Sequence, residues 1–169
     1  MKILLFAVAG VVLIGIAVMI VGALLPGTRD GTASATIEAP AALVRSTILD
    51  VESQPVWRAR VKAVERQSDT AWTEIAADGE RIAFRLADAG GETLALEFES
   101  DRGYVGRWEA RLETLPSGAT RLAVREQATV ASPVGRILSR LFFSPGAFAA
   151  AYLEELASEV ARRRAASGE

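Results

Sequence analysis

Between Ala71 and Val130, apolar residues recur largely at every second position, in runs separated where glycine permits a tight reversal. Asp78-Gly79 separates AWTEIAA from ERIAFRLA, and Gly90-Gly91 separates Ile82, Phe84 and Leu86 from Leu94, Leu96 and Phe98. Asp101-Arg102-Gly103 and Pro116-Ser117-Gly118 close the next two reversals. Side chains alternate across a strand, so each set reads as a strand with one buried face, and short glycine turns join antiparallel neighbours. With a strand near 60–66, this pattern predicts six consecutive antiparallel strands, of which 104–115 and 119–130 are the longest.

The flanks switch to helical spacing. A short first strand is expected over Thr32–Ile37. Pro40 then stands where a first-turn proline is tolerated, and Leu43, Val44, Thr47, Ile48 and Val51 follow at helical intervals. A second short helix near Ser53–Trp57 is broken around Pro55. After the strands, Ser132-Pro133 opens a segment with Val134, Ile137, Leu138, Leu141 and Phe142 on one face, and Ser144-Pro145-Gly146 interrupts it. Phe148, Tyr152, Leu153, Leu156 and Val160 then form a stripe running to Arg162-Arg163-Arg164, whose charge suits a helix C-terminus. The order is β-α-α-β6-α with a broken final helix.

The 23 residues from Ile3 to Leu25 contain no charge, Asn, Gln, Ser or Thr. As a helix this run is roughly 35 Å long, enough for a hydrocarbon core of about 30 Å. A cleaved signal peptide has a shorter apolar region, and the one small-x-small site, Ala33-Ser34-Ala35, lies well past the run. The expected organisation is a transmembrane anchor over 1–26, a linker over 27–31, a domain over 32–165 and a tail over 166–169. Lys2 on one side and Arg29 beside Asp30 on the other give the positive-inside rule little to act on. The expectation is a single-pass cell-membrane protein with its domain outside the cytoplasm, as signal anchors usually insert.

Absences narrow the chemistry. The chain has no His and no Cys, which excludes Ser-His-Asp triads, Cys-His pairs and zinc sites built on those ligands. No phosphate-cradling glycine loop is present. Net charge is −2, with Arg interleaved among Glu and Asp, so there is no basic stripe for nucleic acid. Glu97, Glu99 and Asp101 share a strand face opposite Leu94, Leu96 and Phe98, which reads as a solvated face rather than a metal site. No cofactor is expected.

One residue breaks the apolar row of the last hairpin. Trp108, Ala110 and Leu112 alternate on one limb and Leu122, Val124, Ala128 and Val130 on the other, with Glu126 among them. Two readings stay open: a bulge or an Arg partner at a cavity mouth carries the carboxylate to water, or it is a polar handle within an apolar pocket, paired or protonated.

Three stretches carry a resemblance to a known family. ATIEAPAALVRSTILDVESQPVW resembles the opening strand, Ala-Pro helix start and Trp after a short helix of the SRPBCC helix-grip superfamily, which includes START domains and polyketide cyclase/dehydrase-like proteins. GRWEARLETLPSGATRLAVRE is similar to its penultimate hairpin, and SPVGRIL to the start of its closing helix. The resemblance implies an α+β fold: a curved antiparallel sheet wrapped around a long C-terminal helix, with a cavity between them for an apolar ligand. Cavity-facing candidates are Trp57, Phe84, Phe98, Tyr104 and Trp108 on the sheet side and at α-helical edges. Leu122, Val124 and Glu126 on the last strand, with Phe148 and Tyr152 one helical turn apart, complete the set. The expected partners are the membrane and a hydrophobic small molecule or lipid, with no nucleic acid. A cyclase, aromatase or dehydratase using Glu126 with a tyrosine is the second reading, and a ligand-free protein-interaction module the third.

Overall fold

The computed structural model describes residues 2–168, with side chains placed for Phe6 and from Val8 onward. Seven antiparallel strands form one sheet in the order β1-β7-β6-β5-β4-β3-β2. They are β1 (Thr28–Ile37), β2 (Val61–Arg66), β3 (Ala71–Ala76), β4 (Arg81–Asp88), β5 (Thr93–Ser100), β6 (Tyr104–Thr114) and β7 (Thr120–Val130). The six consecutive strands expected from the alternation are β2 to β7. Gly79, Gly91, Gly103 and Gly118 all adopt positive φ at the reversals, which explains why the turns could be read from the sequence.

Two short helices, α2 (Ala41–Leu49) and α3 (Gln54–Trp57), fill the crossover from β1 to β2. At the C-terminal end α4 (Pro133–Phe142) and α5 (Pro145–Ser167) are separated by a break, as expected. The core lies between the inner face of the sheet and these helices: Val44 and Ile48 of α2 and Leu153, Leu156 and Val160 of α5 pack with Leu94, Leu112 and Leu122. This is an α+β architecture with a seven-stranded antiparallel sheet around a long C-terminal helix. The arginines at the end of α5 are held in place: Arg162 and Arg163 both pair with buried Glu159, and Arg163 also reaches Asp50 and Ser53.

Two boundaries differ from the expectation. The first strand begins at Thr28, not Thr32, so the segment expected as a linker is paired backbone. Its side chains explain the extension, because Asp30 accepts from Arg125 at 2.7 Å and from Gln127 at 3.3 Å on β7. At the other end α5 continues through Ser167 into the segment expected as a tail.

The N-terminal helix α1 spans Lys2–Leu24, and its large apolar side chains, Val11, Leu13, Ile14 and Leu24 among them, stand exposed. Among the described residues no helix is long and apolar enough to cross a membrane, so the anchor expected over 1–26 finds no support there.

Candidate functional site

The inner face of the sheet has two unlike ends. Along β7 the inward residues are Leu122, Val124, Glu126, Ala128 and Val130; the first two are buried and the last three half-buried. The alternation continues through Glu126 without a bulge, so its side chain is on the core face. Across the sheet it pairs with Trp108 on β6 and Gly31 on β1. Gly31 is needed there because a Cβ would lie 2.5 Å from Pro145 at the start of α5.

Aromatic rings surround this end. Trp72, Phe84, Phe98 and Tyr104 form a row across β3 to β6, with centroid separations of 5.6, 5.7 and 6.2 Å. From the helix side Tyr152 meets Trp108 edge-on at 5.7 Å and Trp57 at 6.2 Å. The principal contacts of α5 are with β1, and it also touches β7, α2 and α3. Leu94, Leu96 and Phe98 on β5 and Trp108, Ala110 and Leu112 on β6 are buried, whereas Ile82, Phe84 and Leu86 on β4 are only half-buried. The inner face is thus least covered at β4 and at the Glu126 end of β7.

Its polar groups are few. Arg58, just after α3, makes a 2.8 Å ion pair with Glu74 on β3, and the two side chains are 13% and 6% exposed. Arg58 also donates to Gln54 and lies over the Tyr152 ring, 5.4 Å from its centroid. Glu126 accepts no hydrogen bond from any described residue. Burial pushes its carboxyl up to about 7; Arg58 pulls the other way and Glu74 adds to the rise. The Tyr152 and Tyr104 hydroxyls are also shifted upward, chiefly by burial, with Glu80 contributing at Tyr104. A neutral Glu126 can donate a hydrogen bond and an ionised one can accept, and near neutral pH both forms are populated.

The sequence-derived candidates divide. Trp57, Phe84, Phe98, Tyr104, Trp108, Glu126 and Tyr152 gather at this end of the inner face. Leu122 and Val124 lie in the closed core, 0% and 3% exposed. Phe148 sits at the rim, packed on Phe143 at 5.6 Å and under Arg60 at 5.3 Å. The sequence reading did not identify Arg58 and Glu74. The signal for Glu74 was present, since in AWTEIAA it shares a strand face with Trp72, the same anomaly that singled out Glu126. Arg58 lies between α3 and β2, where no periodicity marks it.

Other features of the surface carry less chemistry. One depression is on the outer face of the sheet, between Thr32, Ser34, Arg107, Arg111 and Arg125. Another lies between α3 and α5 at Val56, Trp57 and Arg162. Glu97 pairs with Arg85 and Arg107 on the outer face, as a solvated row should. No cluster of acidic residues suited to a metal ion occurs among the described residues.

No family profile and no curated protein matches the chain. Solved structures do. A START superfamily protein from Mycobacterium smegmatis aligns with TM-score 0.62 at 12% identity, covering 79% of this chain and 97% of its own. The Zhui aromatase/cyclase from Streptomyces sp. R1128 aligns with TM-score 0.65 at 17% identity over 80% and 95%. Norcoclaurine synthase from Thalictrum flavum aligns with TM-score 0.65 at 12% identity over 81% and 96%. The fold of this chain is therefore the START-type helix grip; at such identities the likeness extends to fold alone.

Proposed function

We propose that the chain is a membrane-anchored binding module for an apolar ligand carrying one polar group, held between the Glu126 end of the inner face and α5. The observation that carries this reading is the Glu126 carboxyl, half-buried on the inner face of the sheet beside Trp108 and free of hydrogen bonds among the described residues. Binding sites of this kind are mostly apolar, with a small number of polar groups that orient the ligand. A half-buried carboxyl with no hydrogen-bond partner on the inner face of a sheet costs stability that an apolar residue there would not. The START-type fold is consistent with a hydrophobic small molecule, and a lipid or isoprenoid from the adjacent bilayer suits a domain tethered by α1. The anchor rests on the charge-free run Ile3–Leu25 and on the exposed apolar surface of α1.

The test uses Trp108, the ring between Glu126 and Tyr152. Trp108→Ala is expected to weaken binding of a fluorescent fatty-acid or sterol probe, beyond a stability loss of roughly 3–5 kcal/mol for deleting a buried aromatic. A folded variant that binds the probe as the parent does removes Trp108 from the site.

One observation favours a second reading. A carboxyl near 7 beside a phenol is poised for general acid–base work, for which the useful pKa lies near the working pH, and two of the structural neighbours bear enzyme names, an aromatase/cyclase and a synthase. On this reading Glu126→Gln abolishes turnover of a candidate substrate and leaves probe binding in place; on the binding reading it changes probe affinity.

A further inference from the structure

Helix α4 is two-sided, and apart from half-buried Ile137 the large residues of its apolar side stand exposed among the described residues. Val134, Leu138, Leu141 and Phe142 recur at i, i+4, i+7 and i+8 and are 41%, 49%, 68% and 82% exposed. A helix of a globular domain turns such a stripe to the core. Here the polar side is turned inward instead. Arg136 donates to the carbonyls of Ala23 and Leu25, both at 3.3 Å, and Arg140 to that of Pro26 at 3.2 Å. Arg29 reaches back to the carbonyls of Ser139 and Phe143. A Cβ at Gly22 would lie 2.2 Å from the Pro133 carbonyl oxygen, so α1 and α4 touch backbone to backbone. The segment where α1 ends thus meets α4 at both of the helix's ends, and arginines fasten the two together.

We infer that α4 is an interfacial helix that lays Val134, Leu138, Leu141 and Phe142 into the headgroup and acyl boundary of the bilayer beside the exit of α1. The occupant is identified by continuity: α4 meets α1 at Gly22, and the α1 residues around that contact, Ile20, Val21 and Leu24, are exposed and apolar like the stripe of α4. A helix with an apolar stripe and arginines opposite it is the type that lies in the membrane plane. The inference rests on the anchor reading of α1. It also orients the site. Val130 of β7 bonds to Gly27 at the α1 exit, and Glu126 is four residues further along that strand, about 13 Å at ~3.3 Å per residue. The Glu126 end of the inner face, not the closed core end, then faces the lipid.

The chain has no cysteine, so single sites can be labelled in the full-length protein. Leu138→Cys and Phe142→Cys, each carrying a polarity-sensitive fluorophore, are reconstituted in phosphatidylcholine/phosphatidylglycerol vesicles, with Ile14→Cys and Ser117→Cys as references. The expected result is loss of emission at 138 and 142 with a nitroxide placed near the headgroup, protection there from aqueous iodide, deep-nitroxide quenching at 14, and iodide quenching at 117. Iodide quenching at 138 and 142 with deep quenching at 14 overturns the interfacial helix and leaves the anchor. Iodide quenching at 14 as well overturns both. Protection of 138 and 142 from both quenchers, with self-quenching that grows with the protein-to-lipid ratio, assigns the stripe to a second copy and overturns the inference.

Discussion

The two halves of β7 are built alike and packed differently. From Thr120 to Val124 the inward residues are sealed under α2 and α5. From Glu126 to Val130, on the same strand and the same face, they are half-buried and include a carboxyl. The backbone pairing does not change between them. What changes is the opposing layer, because α5 makes its principal contacts with β1 and the cover thins toward the Val130 end of β7. Strand alternation therefore dictates which way a side chain points, while the helix above decides whether that direction means core or site.

That contrast predicts different responses to substitution at the two ends. The largest effect is expected at the ion pair that lines the open end. Arg58→Met leaves Glu74 buried without its partner, a loss of about 3–5 kcal/mol in denaturant unfolding, and it removes the charge that restrains the Glu126 shift, so Glu126 should titrate higher still. At the sealed end, Leu122→Ala should cost about 2–5 kcal/mol through lost contacts and a cavity and leave probe binding unchanged; a large change in binding with little loss of stability would reverse the assignment of that end as core.

Glu126→Gln moves stability the other way. The fold favours the neutral carboxyl, so the ionisation cost is absent below about 4.5, grows with pH and is complete above about 7. The variant should match the parent near pH 4.5 and exceed it by on the order of 2–3 kcal/mol above pH ~8, since one pK unit is worth ~1.4 kcal/mol. Equal stability of the two proteins across this range would place the carboxylate in bulk water. On the outer face, Glu99→Gln should stay within about 0.5 kcal/mol.

Much of the architecture was legible because its signals are local. Glycine turns and period-two rows marked β2 to β7, and Pro133 and Pro145 marked the starts of α4 and α5. Thr28–Gly31 was misread because its pairing depends on Asp30 meeting Arg125 and Gln127 on β7, contacts across about a hundred residues. The site was legible only as an anomaly. Alternation put Glu126 on the inner face, but the groups that set its ionisation, Arg58 and Glu74, come from other elements and are joined to it only by the curl of the sheet. Phe148 shares a helix with Tyr152 but faces Phe143 and Arg60, since the stripe of a long helix passes over more than one surface.

The early start of β1 has a mechanical consequence. Only Leu25, Pro26 and Gly27 separate α1 from the first sheet residue, and arginines of α4 grip that short junction. On the anchoring proposed above, the domain would have no tether on which to swing, so its opening would keep one attitude toward the bilayer and its reach would end at its own radius. Exchange of a ligand then becomes an encounter within the plane of the membrane, and any acceptor must diffuse to the domain rather than be found by it.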